Sequence, residues 1–338
     1  MLTRLRTNRQ RLVVSTVSGQ IAHPVAGATA YRIGMDGVSR ILPGTGGIVT
    51  NQRIGDPCIG VAGDHVEPGV ALHNNGREVT GPRNGPNNAL ITLACVGNRA
   101  TIISGPCVGK SGVVTGKHGG VNHVLVDFDQ GVLERLRIGD KVQIRSHGAG
   151  LALADLCEVT VMNCDPGLLS KWLRFDGGRI VAAVTHLVPF FVMGSGLGKN
   201  TAWRGDYDIQ LSDPRIVERF QLGSLRYGDL VAILGANNGF GPSARTTHVT
   251  LGVIVHSDST VSGHGPGVTP LVSGPRQLIS LSRRPRANLA AILGIREPAP
   301  PVQRRTLVAS QSARVLARGG PWTPQGLVNA SGLPTFER

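Results

Sequence analysis

The sequence predicts a mainly β fold, that is, a β-rich α+β chain of short-stranded barrels or sandwich sheets with few helices. Of 338 residues, 47 are Gly and 21 are Pro, whereas aromatic residues make up only 4%. Because Gly and Pro interrupt regular structure, this composition favours turns and short strands over long helices. A hydrophobic fraction of 41% over this length can form a sizeable core, which excludes a disordered protein.

The first predicted region, residues 1–98, combines short apolar runs with Gly-rich turns. Short strands are predicted at residues 12–17, 31–41 and 48–53. Residues 74–88 are polar and rich in Gly and Pro, which indicates a long surface loop. Residues 89–96 (ALITLACV) are almost continuously apolar and predict a buried strand after that loop.

The clearest β pattern lies in the second region, residues 99–165. Four short apolar runs are separated by turn residues, at 101–103, 112–115, 123–128 and 138–145. Strands of this length and spacing are typical of a small β-barrel. We therefore predict a barrel-like region between residues 99 and 165.

The rest of the chain is predicted to contain a second β-rich region, residues 166–297, and a tail, residues 298–338. Strands are expected at residues 179–184, 187–193, 230–234 and 247–256, and helices at residues 166–172, 214–221 and 287–295. The second of these helices has Pro214 in its first turn and Asp213 available as its N-cap. The tail is predicted because its sequence is first Pro-rich and then polar.

The net charge of +14 is concentrated at the two ends of the chain. Residues 1–12 contribute +4 and residues 276–338 contribute +8, which leaves +2 for the body between them. A folded domain that binds nucleic acid is expected to have its basic excess on the body, interleaved with aromatic residues. The distribution therefore argues against nucleic-acid binding and favours solvated tails or subunit contacts, and we expect a homo-oligomer.

The cysteine pattern and the hydropathy bear on localisation. The five cysteines include no CxxC spacing, so we expect reduced, mostly buried thiols in a cytoplasmic protein. The apolar run that follows the first arginines is too short and contains too many polar residues to be the core of a signal peptide. No run of about 18 apolar residues is present, so no membrane span is predicted.

The first group of candidate site residues lies in the motif GDHVEPGV at residues 63–70. Pro68 biases Glu67 towards extended geometry, so the segment up to Glu67 is predicted to be the end of a strand. On a strand, His65 and Glu67 point to the same side, as two metal ligands or as a ligand beside a base. We predict His65 as a ligand, Glu67 as a general base and Asp64 as a substrate-binding residue. The alternative is that these are ordinary hydrogen-bonded residues at a strand end.

A second group lies at the end of the predicted strand at residues 247–256. His256 and Asp258 alternate onto one side, and His264 follows on a Gly- and Pro-rich loop that could fold back over them. With His65, these residues could bind one zinc or manganese ion and leave a position open for water. The alternative is that the two groups are loop residues far from each other.

Two further segments carry candidate catalytic and substrate-binding residues. In the Gly-rich turn at residues 116–120 (GKHGG), Lys117 is predicted to stabilise an oxyanion and His118 to bind substrate. The charged loop after residue 198 contains further candidates, namely Lys199 and Arg204 as an anion clamp and Asp206 as a base. A solvated surface with paired charges is the alternative for that loop.

The motifs described above resemble those of an uncharacterised bacterial and archaeal family, domain of unknown function 4438. The resemblance rests on LPGTGG at 42–47, GDHVEPGV at 63–70, GKHGG at 116–120, GHGPG at 263–267 and LGIR at 293–296. It extends over residues 12–297 and implies a β-rich, soluble, cytoplasmic fold, without assigned catalytic residues. The motif GDYDI at residues 205–209 and the all-β layout resemble, more loosely, the metal-dependent acetamidases and formamidases.

Two hypotheses for the function follow. The first is a metal-assisted hydrolase of a small amide, a cyclic imide or a related C–N bond, with zinc or manganese as the ion. The second is a non-catalytic protein that binds a small anionic ligand through the GKHGG turn. Metal analysis of the purified protein distinguishes them, because only the hydrolase needs an ion.

Overall fold

The structure is a computed structural model that describes residues 2–26, 29–76, 85–197 and 201–308. It is mainly β, as predicted. The strands are β1 Ser15–Ile21, β2 Arg32–Ile33, β3 Ser39–Arg40, β4 Ile48–Val49, β5 Gly69–His73, β6 Arg99–Ile102, β7 Ser111–His118, β8 His123–Asp127, β9 Lys141–Ser146, β10 Thr160–Val161, β11 Leu173–Asp176, β12 Arg179–Val184, β13 His186–Pro189, β14 Met193–Leu197, β15 Tyr207–Ile209, β16 Leu230–Asn237, β17 Ser243–Ile254, β18 Gly267–Pro275 and β19 Ile279–Arg283. The α-helices are α1 Gly85–Leu93, α2 Gln130–Leu133, α3 Pro166–Trp172, α4 Pro214–Arg219 and α5 Leu289–Ile292.

The first large sheet closes into a six-stranded antiparallel barrel. Around the barrel the order is β1, β9, β6, β7, β8 and β5, and β5 pairs back with β1. Val114, Val124 and Ile144 are among the completely buried apolar side chains of its core. The sequence predicted a barrel from residues 99–165 alone, but β1 and β5 come from earlier in the chain.

Residues 85–93 form helix α1, so the strand predicted at residues 89–96 is wrong. Leu90 and Ile91 are completely buried and belong to the barrel core. A short apolar run is compatible with a buried helix face as well as with a strand, and Pro86 in the first turn favours the helix. Part of the predicted surface loop, residues 77–84, lies outside the described residues.

The second large sheet is a half-barrel with the order β13, β16, β17, β18, β15 and β14. A smaller sheet of β11, β12 and β19 flanks it. A second apolar cluster spans the barrel and the half-barrel, because it contains Leu125 of the barrel together with Leu251 and Leu271 of the half-barrel. At the end of β7, the Thr269 hydroxyl of β18 accepts a hydrogen bond from Lys117 N and donates one to Lys117 O.

The helices in the second half are those that the sequence signals predicted. In α3, the Asp165 side chain caps the helix by accepting from Gly167 N. In α4, Asp213 accepts from Arg215 N, and Pro214 occupies the first turn. Helix α5 is shorter than the predicted 287–295.

The predicted tail begins inside a packed segment. Ala299 N donates to Gly55 O at 2.9 Å, and Arg304 N donates to Gly223 O at 2.9 Å. Val308 is almost completely buried. Residues up to 308 therefore pack against the body, whereas residues 309–338 lie outside the described residues. None of the helices in the described ranges is long and apolar enough for a membrane span.

Candidate metal centre

A cluster of histidine and aspartate side chains lies where the barrel meets the half-barrel. Its first member, His65, lies in the loop before β5 with a φ of 55°, so the strand end predicted there is wrong. His65 N donates to Asp258 O at 3.2 Å, and Val66 N donates to the Ser257 hydroxyl at 2.9 Å. These bonds join the two loops that the metal hypothesis required to meet.

Two strands supply further members of the cluster from opposite sides. His118 ends β7, in which a register shift between Val114 and Gly116 marks a bulge in the pairing with β8. Asp206 and Asp208 flank Tyr207 at the start of β15, so their side chains point to the same face. The Asp206 carboxylate accepts from Gly119 N at 2.8 Å, which connects the two strand ends.

Three side chains form what we call the outer triad: His65, Asp208 and His264. His65 Nε2 lies 3.1 Å from His264 Nδ1 and 3.4 Å from Asp208 Oδ2. His264 Nδ1 lies 3.2 Å from the same Asp208 oxygen. Two nitrogens and one oxygen, all usual metal ligands, therefore form a nearly equilateral triangle.

Three other side chains form the inner triad: His118, Asp206 and His256. All three are buried, and their ligand atoms lie within 4.8 Å of one another. His256 Nε2 is 2.8 Å from Asp206 Oδ2. The two triads are adjacent, because the ring centroids of His65 and His256 are 5.0 Å apart.

Acceptors behind the rings fix the orientation of the inner histidines. The Glu67 carboxylate accepts from His118 Nδ1 at 2.7 Å and from His123 Nδ1 at 3.0 Å. The carbonyl oxygen of Ser257 accepts from His256 Nδ1 at 2.9 Å. A carboxylate or carbonyl behind a histidine leaves its other nitrogen free to bind an ion, as is usual around metals in proteins.

The charges of the cluster compensate one another strongly. Burial lowers the pKa of His256, but its hydrogen bonds with Asp206 and Asp208 outweigh burial and raise that pKa well above its ordinary value. Burial raises the pKa of Asp208, but hydrogen bonds from His256, His264 and His65 outweigh it, so the net pKa lies well below the ordinary value. The histidines around Asp208 therefore keep this carboxylate ionised.

Two clefts reach the cluster. A narrow cleft of about 150 Å³ is lined by members of both triads together with Ser195 and Gly196. A wide cleft of about 230 Å³ shares His65 and His118 with it and extends to Arg32 and to apolar side chains, including Leu42 and Val121. A small molecule in either cleft would contact the cluster directly.

Three glycines pack closely around the aspartates. A Cβ on Gly267 would lie 2.2 Å from both Asp206 Oδ2 and His256 Nε2, and one on Gly196 would lie 2.3 Å from Asp208 Oδ2. A Cβ on Gly265 would lie 1.9 Å from the backbone oxygen of Ile209. Only glycine fits these positions without displacing the cluster.

The structure brings together three of the four predicted ligands. His65, His256 and His264 all belong to the cluster. Asp258 does not: its Oδ2 accepts from Gly60 N at 3.0 Å, and burial raises the pKa of this carboxyl to about 7. The prediction placed His256 and Asp258 on one strand face, but β17 ends at Ile254.

Of the three predicted catalytic residues, one belongs to the cluster, one lies behind it and one faces away from it. Asp206 is a member of the inner triad, and Glu67 lies behind it, bonded to His118 and His123. Lys117 faces away: its Nζ donates to Thr92 O, Asn163 Oδ1 and Trp203 O. Its three N–H bonds are all used, so this geometry does not support the predicted oxyanion role.

The predicted substrate-binding residues are also separated. Asp64 accepts from the Ser259 hydroxyl and pairs with Arg32 beside the wide cleft, and His118 belongs to the inner triad. Arg204 donates to Asn88, and Lys199 lies outside the described residues. The sequence interpretation missed Asp208 as a member of the cluster, although its alternation with Asp206 in GDYDI could have indicated it.

The fold and the site define a class: a β-barrel joined to a half-barrel, with a buried His/Asp cluster between them. Models of the domain of unknown function DUF4438 match the chain, the N-terminal domain at residues 31–170 and the C-terminal domain at residues 172–293. The chain therefore belongs to that family, as its motifs predicted. The likeness to acetamidases and formamidases is not shown by these comparisons.

One solved structure resembles this chain over most of its length. The crystal structure of TM1086 is 41% identical, with a TM-score of 0.79, and the match covers 85% of this chain and 98% of that one. No curated protein matches the chain.

Proposed function

We propose that this protein is a metal-dependent hydrolase of a small amide, a cyclic imide or a related C–N bond. The outer triad, His65, Asp208 and His264, holds the zinc or manganese ion. The narrow cleft brings substrate to it. The observation that carries the proposal is the geometry of the outer triad beside that cleft.

The distances within the outer triad suit a single ion. Ligand atoms that bind one tetrahedral ion at about 2.0–2.1 Å lie roughly 3.3 Å apart. The three distances among His65 Nε2, His264 Nδ1 and Asp208 Oδ2 are 3.1, 3.2 and 3.4 Å. Three protein ligands leave the fourth position open for water, which is the pattern of catalytic rather than structural zinc.

The chemistry follows from that open position. An ion of this kind lowers the pKa of bound water towards neutrality and polarises a carbonyl oxygen. With an ion held there, the reaction would add one water across the C–N bond of an amide and would give a carboxylate and a protonated amine or ammonium. His264, whose side chain is 35% exposed, lies at the solvent side, where product can leave.

The non-catalytic alternative, an anion site in the GKHGG turn, has less support. Lys117, the cation on which it depended, donates all its hydrogen bonds inside the protein. The half-exposed Arg32 of the wide cleft is the better candidate for contact with an anionic group of a substrate. Five free thiols, four of them buried, are compatible with the cytoplasmic enzyme that we propose.

The test is a metal-supplemented screen of small amides, lactams and cyclic imides, with ammonia release as the readout. Even residues behind direct ligands are worth about 10- to 100-fold in metal affinity or activity. We therefore expect His65→Ala/His264→Ala to lower the rate by more than about 100-fold. The control is His248→Ala, a histidine of β17 that contacts Thr247 outside the cluster. A wild-type protein without stoichiometric metal after reconstitution would refute the proposal.

A further inference from the structure

We infer that the cluster holds two ions rather than one: the second ion binds the inner triad, His118, Asp206 and His256, and Asp208 bridges the two. This inference rests on the proposed function and extends it from one ion to a pair. Three independent features of the cluster support it: the orientation of the inner ligands, the position of Asp208 and the charge of the surroundings.

Each inner histidine has one ring nitrogen bonded behind the ring, which leaves its other nitrogen for the triad. Glu67 accepts from His118 Nδ1, and the Ser257 carbonyl accepts from His256 Nδ1, so both of these nitrogens carry hydrogen. In the neutral rings the Nε2 atoms then carry lone pairs. His256 Nε2 faces an Asp206 oxygen at 2.8 Å, and two lone pairs at this distance need a proton or a cation between them. In the metal-free chain a proton on His256 meets that need, and an ion bound by the inner triad would replace this proton.

Asp208 offers one oxygen to each triad. Its Oδ2 lies 3.2 Å from His264 Nδ1 and 3.4 Å from His65 Nε2, in the outer triad. Its Oδ1 lies 3.5 Å from His256 Nε2, in the inner triad. A carboxylate with its two oxygens divided in this way is suited to bridge a pair of ions, which in two-metal hydrolytic sites lie about 3.5–4 Å apart.

The surrounding charge exceeds what one dication can balance. Asp206 and Asp208 are ligands, Glu67 lies behind His118, and Asp64 lies 3.4 Å from His65 Nδ1. All four carboxylates are buried. Among the described residues, only one of the four, Asp64, is paired with a guanidinium, that of Arg32. A histidine gives up its proton when it binds a metal, so the ligand imidazoles are neutral in the loaded site. A single dication then leaves a net negative charge in a desolvated site, which is unfavourable. A second dication removes this deficit.

The two positions differ in their access to solvent. Every residue of the inner triad is buried, whereas His264 of the outer triad is 35% exposed. We therefore expect the inner ion to exchange slowly and the outer ion to exchange quickly. Two ions also act as a clamp on both the attacking and the leaving groups of a hydrolysis.

The experiment measures ions per chain by elemental mass spectrometry, after the full chain is loaded with Mn²⁺ and freed of excess metal by gel filtration. We expect two ions in the wild type, with the electron paramagnetic resonance signal of a spin-coupled pair. We expect one ion and no coupling in His264→Ala, and two ions in the control His248→Ala. Brief treatment with a chelator should remove one ion quickly and the second slowly.

The outcomes separate this inference from the proposed function. One ion per wild-type chain, with an uncoupled signal, overturns the inference and leaves a one-ion hydrolase in place. No ion overturns both. The wild-type measurement needs no variant, so a variant that fails to fold does not prevent the test.

Discussion

At the scale of single residues, the most informative side chain is Glu67. The sequence predicted it as a general base, but its two oxygens accept from His118, His123 and Gly46 N. Burial raises the pKa of this carboxyl, but the two histidines outweigh burial, so the net pKa is well below its usual range. A carboxylate held in this way orients His118 and is not available to accept a proton from water.

Replacing Glu67 tests this orienting role. In Glu67→Gln, the amide can donate to His118 as well as accept from it, so the ring is no longer held with Nε2 free. We expect the affinity for the inner ion to fall by about 10- to 100-fold, with the outer ion retained. A competition titration against a coloured chelator measures both affinities. Glu134→Gln, at the exposed residue that follows α2, is the matched control, and equal affinities in the two variants would contradict the role.

At the scale of elements, the site depends on close approach between strands. β18 begins at Gly267, beside the pair formed by Asp206 and His256, and β7 ends at His118 on the other side. The two strands are directly connected, because the Thr269 hydroxyl bonds both backbone groups of Lys117. The ligands are therefore positioned by sheet packing.

A methyl group at Gly267 should disturb this packing. In Gly267→Ala, the new carbon would meet Asp206 Oδ2 and His256 Nε2 at 2.2 Å. We expect at least a ~10-fold loss of affinity for the inner ion and a loss of about 1–3 kcal/mol in the free energy of unfolding. Gly131→Ala in α2 is the control, since a Cβ there has no heavy atom within 4 Å. Urea unfolding and metal titration of both variants give the comparison, and unchanged binding by Gly267→Ala would count against the packing.

At the scale of the whole molecule, the site is shared by the two halves of the chain. His65 and His118 come from the part that matches the N-terminal family model, and the aspartates with His256 and His264 come from the C-terminal part. Leu125 and Leu251 show that one apolar cluster also spans the two halves. Bound metal should therefore stabilise the molecule as one unit.

Metal binding should raise the stability of the full chain. At a free-ion concentration 100 times Kd, one bound ion adds about 2.7 kcal/mol to the free energy of unfolding. We expect urea unfolding, followed by circular dichroism, to show this increase in the wild type and to show less of it in His65→Ala/His264→Ala. A metal-dependent shift confined to one of two separate transitions would contradict a site shared by both halves.

The sequence predicted those features that depend on local chemistry. The capped helices α3 and α4 follow from Asp and Pro at their first turns, and four of the six barrel strands, β6 to β9, follow from short apolar runs between turns. His65, His256 and His264 could be grouped because imidazoles near Gly-rich turns suggest ligands.

The remaining features depend on contacts between distant segments. An apolar run such as residues 89–96 does not distinguish a buried helix from a strand, and α1 is helical because it packs on the barrel. The sequence predicted Asp258 for the cluster, whereas the structure has Asp208 there. The alternation assumed for His256 and Asp258 fails because β17 ends at Ile254, which no local pattern indicates. Lys117 is oriented by three acceptors from distant segments, including Asn163.

The glycines around the aspartates have a consequence for substrate choice. A side chain at Gly196, Gly265 or Gly267 would overlap with neighbouring atoms, so these three positions next to the cluster do not tolerate substitution. The wide cleft is lined by side chains that can change in size, such as Ala30 and Val121, so we expect the substrate range of the proposed hydrolase to depend on them. Exchange of Ala30 or Val121 for a larger residue should then change which molecules are accepted, while the histidines and aspartates of the cluster stay as they are.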